Sequence, residues 1–236
     1  TSGTSNLRIG ENAGDAIASG GNYNVVLGDE AGTAITTGDN NVAVGYNALA
    51  TNTTASTNTA VGYQAAYSNQ TGVGITAFGA NALYATTASD NCGIGTDNPG
   101  NYAAALESNT TGRFNTAVAT GALGANTEGN YNTAVGHSAG ASLTTGGNNV
   151  AVGYQALSTE DTHGNNVAVG YQALKVQNAG DTGNNVAVGH EAGVANTTGQ
   201  ENTFIGAGAG KAVTEAHSTV AVGAFALDAC TTGNSN

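Results

Sequence analysis

Basic residues are almost missing from this chain of 236 residues: four Lys and Arg stand against sixteen Asp and Glu, a net charge of −12. Arg8, Arg113, Lys175 and Lys211 are scattered, so no surface can track a phosphate backbone and nucleic acid is not an expected partner. Charge of either sign is scarce, at 8% of residues against about 25% in an ordinary domain. Met and Trp are absent and Pro occurs once. No apolar run approaches the ~20 residues of a membrane-spanning helix, so membrane insertion is not expected. Collagen is excluded because the 37 glycines do not fall at every third position. The lack of Met and the start at Thr1 suggest a processed chain or a piece of a longer one, and no signal peptide is visible.

What fills the chain is a repeat. "NNVAVGYQAL" occurs at Asn148–Leu157 and again at Asn165–Leu174. Taking the glycine after each aliphatic residue as an anchor gives Gly10, Gly28, Gly45, Gly62, Gly79, Gly95, Ala119, Gly136, Gly153, Gly170, Gly189, Gly206 and Gly223. The spacing is 17 with small deviations, apart from 24 between Gly95 and Ala119. One residue before the anchor the column is aliphatic except for Phe78. Two before it is Ala in nine of thirteen units, and three before it is mostly Val or Thr. Three after it is Ala in every unit but one, and four after it is mostly Leu or Gly.

Short period-two stretches bounded by Gly, Asn and Thr predict strands rather than helices. A unit this small cannot bury its apolar side alone, whereas stacked units bury a continuous column. The expected fold is therefore all-β: a parallel β-solenoid of about thirteen 17-residue coils. Each coil would hold a strand ending at the anchor, a second short strand through "YQAL" and a Gly/Thr/Asn turn. The long spacing, which holds Pro99, suggests a first stack over 1–95, an irregular insertion over 96–118 and a second stack over 119–236. Within the insertion, "AAALES" (Ala103–Ser108) reads as a helical turn.

Four residues before the anchor stands a column of Asn: Asn6, Asn24, Asn41, Asn58, Asn91, Asn115, Asn132, Asn149, Asn166, Asn185 and Asn202. Asn suits turn geometry, and its amide can bond the Asn one coil away, so this column is expected to be a structural ladder.

The "NNVAVG" units, as at Asn40–Gly45 and Asn148–Gly153, resemble the repeats of trimeric autotransporter adhesin (YadA-type) heads. "NTAVGYQA" at Asn58–Ala65 and the "GIGTDNP" run from Gly93 resemble repeats of phage tail-fibre proteins. The resemblance implies a homotrimeric fibre or adhesin segment on an extracellular, cell or virion surface, attaching to a host surface. Alternation agrees with self-association: if Val lines the coil interior, the Ala column points outward and forms an apolar stripe that needs a partner.

Tyr46 and Tyr63, and then His137, Tyr154, Tyr171 and His190, share the column just after the anchor. Rings one above another suggest a platform for sugar rings, or a ladder that only stabilises the sheet. A host glycan or receptor is the ligand expected. No enzyme is expected: carboxylates lie mostly in variable turns, and Glu160, Asp161 and His163 share one turn without a Ser or Cys nucleophile. "GAGAGK" at Gly206–Lys211 lacks the glycine spacing of a phosphate loop. No cofactor is expected. Calcium at turn carboxylates is admitted, though no Asp-rich loop repeats with the period, and no metal site is assigned. Cys92 and Cys230 are seven or eight coils apart, too far for an intrachain disulfide, and pairing of Cys230 between chains stays open. "NTT" at Asn52, Asn109 and Asn196 and "NQT" at Asn69 match glycosylation acceptors, as an Asn/Thr-rich repeat does by chance.

Two other functions fit a solenoid. Thr pairs such as Thr36-Thr37, Thr86-Thr87, Thr144-Thr145, Thr197-Thr198 and Thr231-Thr232 suggest an ice- or crystal-binding lattice. A plain spacer with no ligand of its own is the third reading.

Overall fold

The structure, a computed structural model, describes residues 4–17, 20–98, 103–178 and 183–233. It contains thirteen three-residue strands: β1 (Leu7–Ile9), β2 (Val25–Leu27), β3 (Val42–Val44), β4 (Thr59–Val61), β5 (Thr76–Phe78), β6 (Cys92–Ile94), β7 (Thr116–Val118), β8 (Thr133–Val135), β9 (Val150–Val152), β10 (Val167–Val169), β11 (Val186–Val188), β12 (Thr203–Ile205) and β13 (Val220–Val222). They form one parallel sheet in chain order, each repeat column pairing with itself, as Val150 with Val167 and Ala151 with Ala168. One strand per coil makes an all-β parallel solenoid, and twelve steps of ~4.8 Å give a rod about 58 Å long. Among the described residues no helix is long and apolar enough to cross a membrane.

Each strand stops at its anchor because the backbone there takes a conformation that favours glycine. Gly45 has φ 125°, and a Cβ on it would stand 2.6 Å from the carbonyl oxygen of Gly62 in the next coil. The exception is Ala119, held at φ 105°.

The second strand expected through Tyr-Gln-Ala-Leu is a turn. Gln155 and Leu157 adopt φ 53° and 51°. Ala156 and Leu157 are both buried, which an alternating strand cannot achieve with neighbouring residues. Hydrogen bonds between coils continue through the turn, as Gln155 N–H to His137 O at 3.0 Å and Leu157 N–H to Ala173 O at 3.0 Å.

The strands also face opposite to expectation. Ala43, Ala60, Ala77, Ala117, Ala134 and Ala168 are fully buried, while the Val, Thr and Ile on either side point outward. The coil is narrow: Ala and Leu of the turn form the facing wall, leaving room for a methyl group, and the fully buried Val26 fits because a Cβ on Gly32 would lie 2.7 Å from its Cγ1. Where Phe204 replaces the Ala, space comes from glycine, since a Cβ on Gly193 would lie 2.6 Å from Phe204 Cδ2.

Core volume is shared between the positions four and seven residues after the anchor. Leu at the first goes with a small or polar residue at the second: Leu49 with Asn52, Leu83 with Thr86, Leu123 with Asn126, Leu157 with Glu160 and Leu174 with Gln177. Gly at the first goes with an aliphatic residue at the second: Gly14 with Ile17, Gly32 with Ile35, Gly140 with Leu143 and Gly210 with Val213. A Cβ on Gly32 would stand 2.8 Å from Ile35 Cδ1, so the later side chain fills the place the glycine leaves. Gly193 with Asn196 is the exception, and there Phe204 fills the space.

The Asn column is a ladder, with its own bonding pattern. Each Oδ1 accepts the backbone N–H of the same column one coil on, as Asn41 from Asn58 at 3.0 Å and Asn149 from Asn166 at 3.0 Å. Among the described residues every Nδ2 of the ladder except that of Asn166 spans the coil to a turn carbonyl, as Asn58 to Gly72 O at 2.9 Å and Asn132 to Gly146 O at 2.8 Å. The ladder stops at Ile75, resumes at Asn91 and ends where Asn202 Oδ1 accepts the N–H of Thr219 at 3.0 Å.

The sheet continues across the long spacing: Cys92, Gly93 and Ile94 pair with Thr116, Ala117 and Val118 in register. The chain keeps to the coil through Asp97, whose N–H bonds Ala80 O at 3.3 Å. The chain rejoins it at Ala105 and Leu106, where Leu83 N–H bonds Ala105 O and Leu106 N–H bonds Ala122 O, both at 3.1 Å. Leu106 has φ 52°, so the expected helical turn is instead the ordinary Ala-Leu turn of the repeat. Pro99 lies outside the described residues.

Candidate functional site

In-register coils bring the residues after the anchor together as expected. Tyr46 and Tyr63 stack at 5.7 Å between ring centroids and 15° between planes. His137 and Tyr154 stack at 5.6 Å, Tyr154 and Tyr171 at 5.5 Å, and Tyr171 and His190 at 5.0 Å. Tyr46, Tyr63, Tyr154 and Tyr171 are each 42–51% exposed. The rings lie nearly parallel, so inner rings cover one another's faces and show water only their edges. Only the ends of a stack expose a ring face. Beyond Tyr63 the column continues as Ala80, and beyond His190 as Ala207, neither of which carries a ring.

Among the described residues two further stacks escaped the sequence reading. Phe114 and Tyr131, five residues before their anchors, stack at 5.1 Å and 9°. Tyr67 and Tyr84, five after theirs, stack at 5.3 Å and 6°. Their 17-residue separations were the available signal.

Beside the main stack, Lys211 Nζ donates to Glu191 Oε2 at 2.6 Å. That bond, assisted by the positive charge, holds the Glu191 carboxyl below the usual carboxylate range. Cys92 sits half-buried in β6, where burial raises its thiol pKa. Cys230 lies in the turn after β13, and both thiols are free.

The outward strand columns form an apolar face along the whole sheet. Phe78 is 55% exposed, Ile205 41% and Val188 38%, with the remaining Val, Leu, Ile and Thr between or around them.

The four glycosylation-like Asn residues point inward. Asn52, Asn69, Asn109 and Asn196 are fully buried, and the Nδ2 of each donates to the carbonyl three residues on, at 2.9–3.2 Å. An oligosaccharide transferase cannot reach them in the folded chain. The Thr pairs are also engaged. Thr36, Thr144 and Thr197 each donate the hydroxyl to a carbonyl of the next coil, at 2.9–3.0 Å, and Thr86 is buried. Gly206, Gly208 and Gly210 take repeat positions, with Gly208 against Phe225 and Gly210 against Phe204. A shallow groove of about 290 Å³ beside the insertion is lined only by small residues, Ala103, Ser108 and Gly121 among them.

No family model, curated protein or solved structure matches the chain.

Proposed function

We propose that the chain is a segment of a homotrimeric surface fibre or adhesin, extracellular or on a virion, which holds its ligand-binding stacks away from the surface that bears it and attaches to host glycans. The apolar outer face of the sheet carries this reading. Strand and coil spacings make that face about 58 Å by 10 Å, roughly 580 Å² before side-chain relief is counted, of the order of the ~800 Å² per partner of a stable interface. A monomer leaves it in water. A rotation axis along the rod covers it while keeping all chains pointing one way, as a fibre requires. Three copies is the number the adhesin-head resemblance implies. Sugars would dock on the ring faces at the stack ends, Tyr63 and His190, and three chains would add weak contacts into useful avidity.

Light scattering on the purified chain tests the assembly, with an expected mass of about three times 22.9 kDa. Val152→Lys with Val169→Lys should give a folded monomer. A monomeric wild type overturns the fibre reading. A glycan array with the wild type, Tyr63→Ala and His190→Ala separates an adhesin from a spacer, since a spacer binds nothing. Use of the Thr hydroxyl protons between coils weighs against an ice lattice, and absence of thermal hysteresis would dispose of it.

A further inference from the structure

One coil departs from the repeat at two neighbouring positions at once. Seven residues after the anchor the other coils carry aliphatic side chains or uncharged polar ones, whereas the coil of Gly153 carries Glu160, fully buried. Ten after the anchor the two preceding coils carry Gly129 and Gly146, whereas this coil carries His163. At Asn52 and Asn69 the amide satisfies both backbone groups opposite it: Asn69 Oδ1 accepts Gly72 N–H at 2.8 Å, and its Nδ2 donates to Gly72 O at 2.9 Å. Glu160 keeps only the first half. Its Oε1 accepts His163 N–H at 3.1 Å and Asp161 N–H at 3.2 Å. It has nothing to donate, and Oε2 is buried without a hydrogen-bond partner among the described residues. His163 Nδ1 lies 2.9 Å from Oε1.

A buried carboxylate with an unsatisfied oxygen calls for a cation. A carboxylate oxygen of Glu160, one of Asp161 and a ring nitrogen of His163 all lie within 4.8 Å of one another. We propose that Glu160, Asp161 and His163 bind one divalent ion of the zinc class. Ligands placed tetrahedrally at about 2.1 Å from zinc are about 3.4 Å apart, so the three side chains need to close by little more than about 1 Å. Asp161 and His163 are partly exposed, which gives the ion a path from solvent and leaves room for water as the fourth ligand. Imidazole with two carboxylates suits zinc, whereas calcium requires six to eight oxygens. The ion supplies positive charge beside the buried carboxylate and pins the turn, a structural staple in the coil where a carboxylate stands at this position.

The test is calorimetric titration of the full chain, freed of metal by a chelator, with Zn²⁺. One site per chain is expected, with a Zn²⁺-dependent rise in the unfolding midpoint and no competition from millimolar Ca²⁺. Glu160→Asn with His163→Gly restores the residues found two periods earlier at Asn126 and Gly129, and should fold while weakening binding by roughly a hundredfold or more. If that variant does not fold, His163→Gly alone is read the same way. Absence of saturable binding in the wild type overturns the proposal. So does undiminished binding in the variant, which places zinc on other His or Cys residues.

Discussion

Gly140 and Leu143 compete for one volume: a Cβ on Gly140 would stand 2.9 Å from Leu143 Cδ1. Gly140→Leu should therefore destabilise the rod by about 1–3 kcal/mol through overpacking. Leu143→Asn alone should also destabilise it, by removing core volume. Together they recreate the Leu-and-Asn version present in the same chain at Leu123 and Asn126, whose φ at Leu123 is already left-handed at 48°. The double variant should recover at least about 1 kcal/mol relative to the sum of the singles. Denaturant unfolding of the four proteins measures this, and additive effects would refute the shared volume.

Asn149 sits mid-ladder and serves both neighbouring coils. Its Nδ2 reaches His163 O at 3.1 Å and Asn132 Oδ1 at 3.2 Å, while its Oδ1 accepts Asn166 N–H. Asn149→Ala leaves buried backbone groups without partners and should cost about 2–4 kcal/mol. Asn6, partly buried near one end of the ladder, should cost less when replaced the same way. Equal losses would mean the ladder is incidental.

Ala119 holds an anchor position at φ 105°, where L residues are strained. Ala119→Gly should stabilise the chain by about 1 kcal/mol or more. The reverse change at a regular anchor, Gly153→Ala, drives a methyl group into the Gly170 carbonyl and should be clearly destabilising. Thermal unfolding should show shifts of opposite sign, and a fall for Ala119→Gly would contradict the strain argument.

Glu191 titrates below the usual carboxylate range because Lys211 donates to it. A folded-state pKa below the unfolded one contributes stability above the unfolded value, and this is lost as the pH falls through the folded one. Lys211→Ala should move the Glu191 titration upward, read by carboxyl-carbon NMR. The global unfolding midpoint at neutral pH should barely change, because the pair lies at the surface.

The repeat, the parallel in-register sheet and the Asn ladder were legible because each rests on one residue type recurring in one column. The direction of the strand was not. Val44 is more hydrophobic than Ala43, so burial by hydrophobicity puts Val inside. What decides is coil width, set by residues such as Ala48 and Leu49 elsewhere in the coil. The column seven after the anchor was hidden because Ile35, Asn52, Leu143 and Glu160 share no chemistry, only a volume that depends on a residue three positions earlier. The aromatic column was visible, but the covering of ring faces by neighbouring coils follows only from stacking in three dimensions.

The regular pairing of each strand with the next also governs how the chain finds its fold. Every strand pairs with one about 17 residues away, except across the insertion. In a chain of 236 residues this is a relative contact order of about 0.07, a value typical of helical bundles rather than of β-sandwiches. Loop closure is as short for the last coil as for the first. An all-β protein of this kind can nucleate at any well-packed pair of coils and lengthen by accretion, at a speed its sheet content alone would not predict.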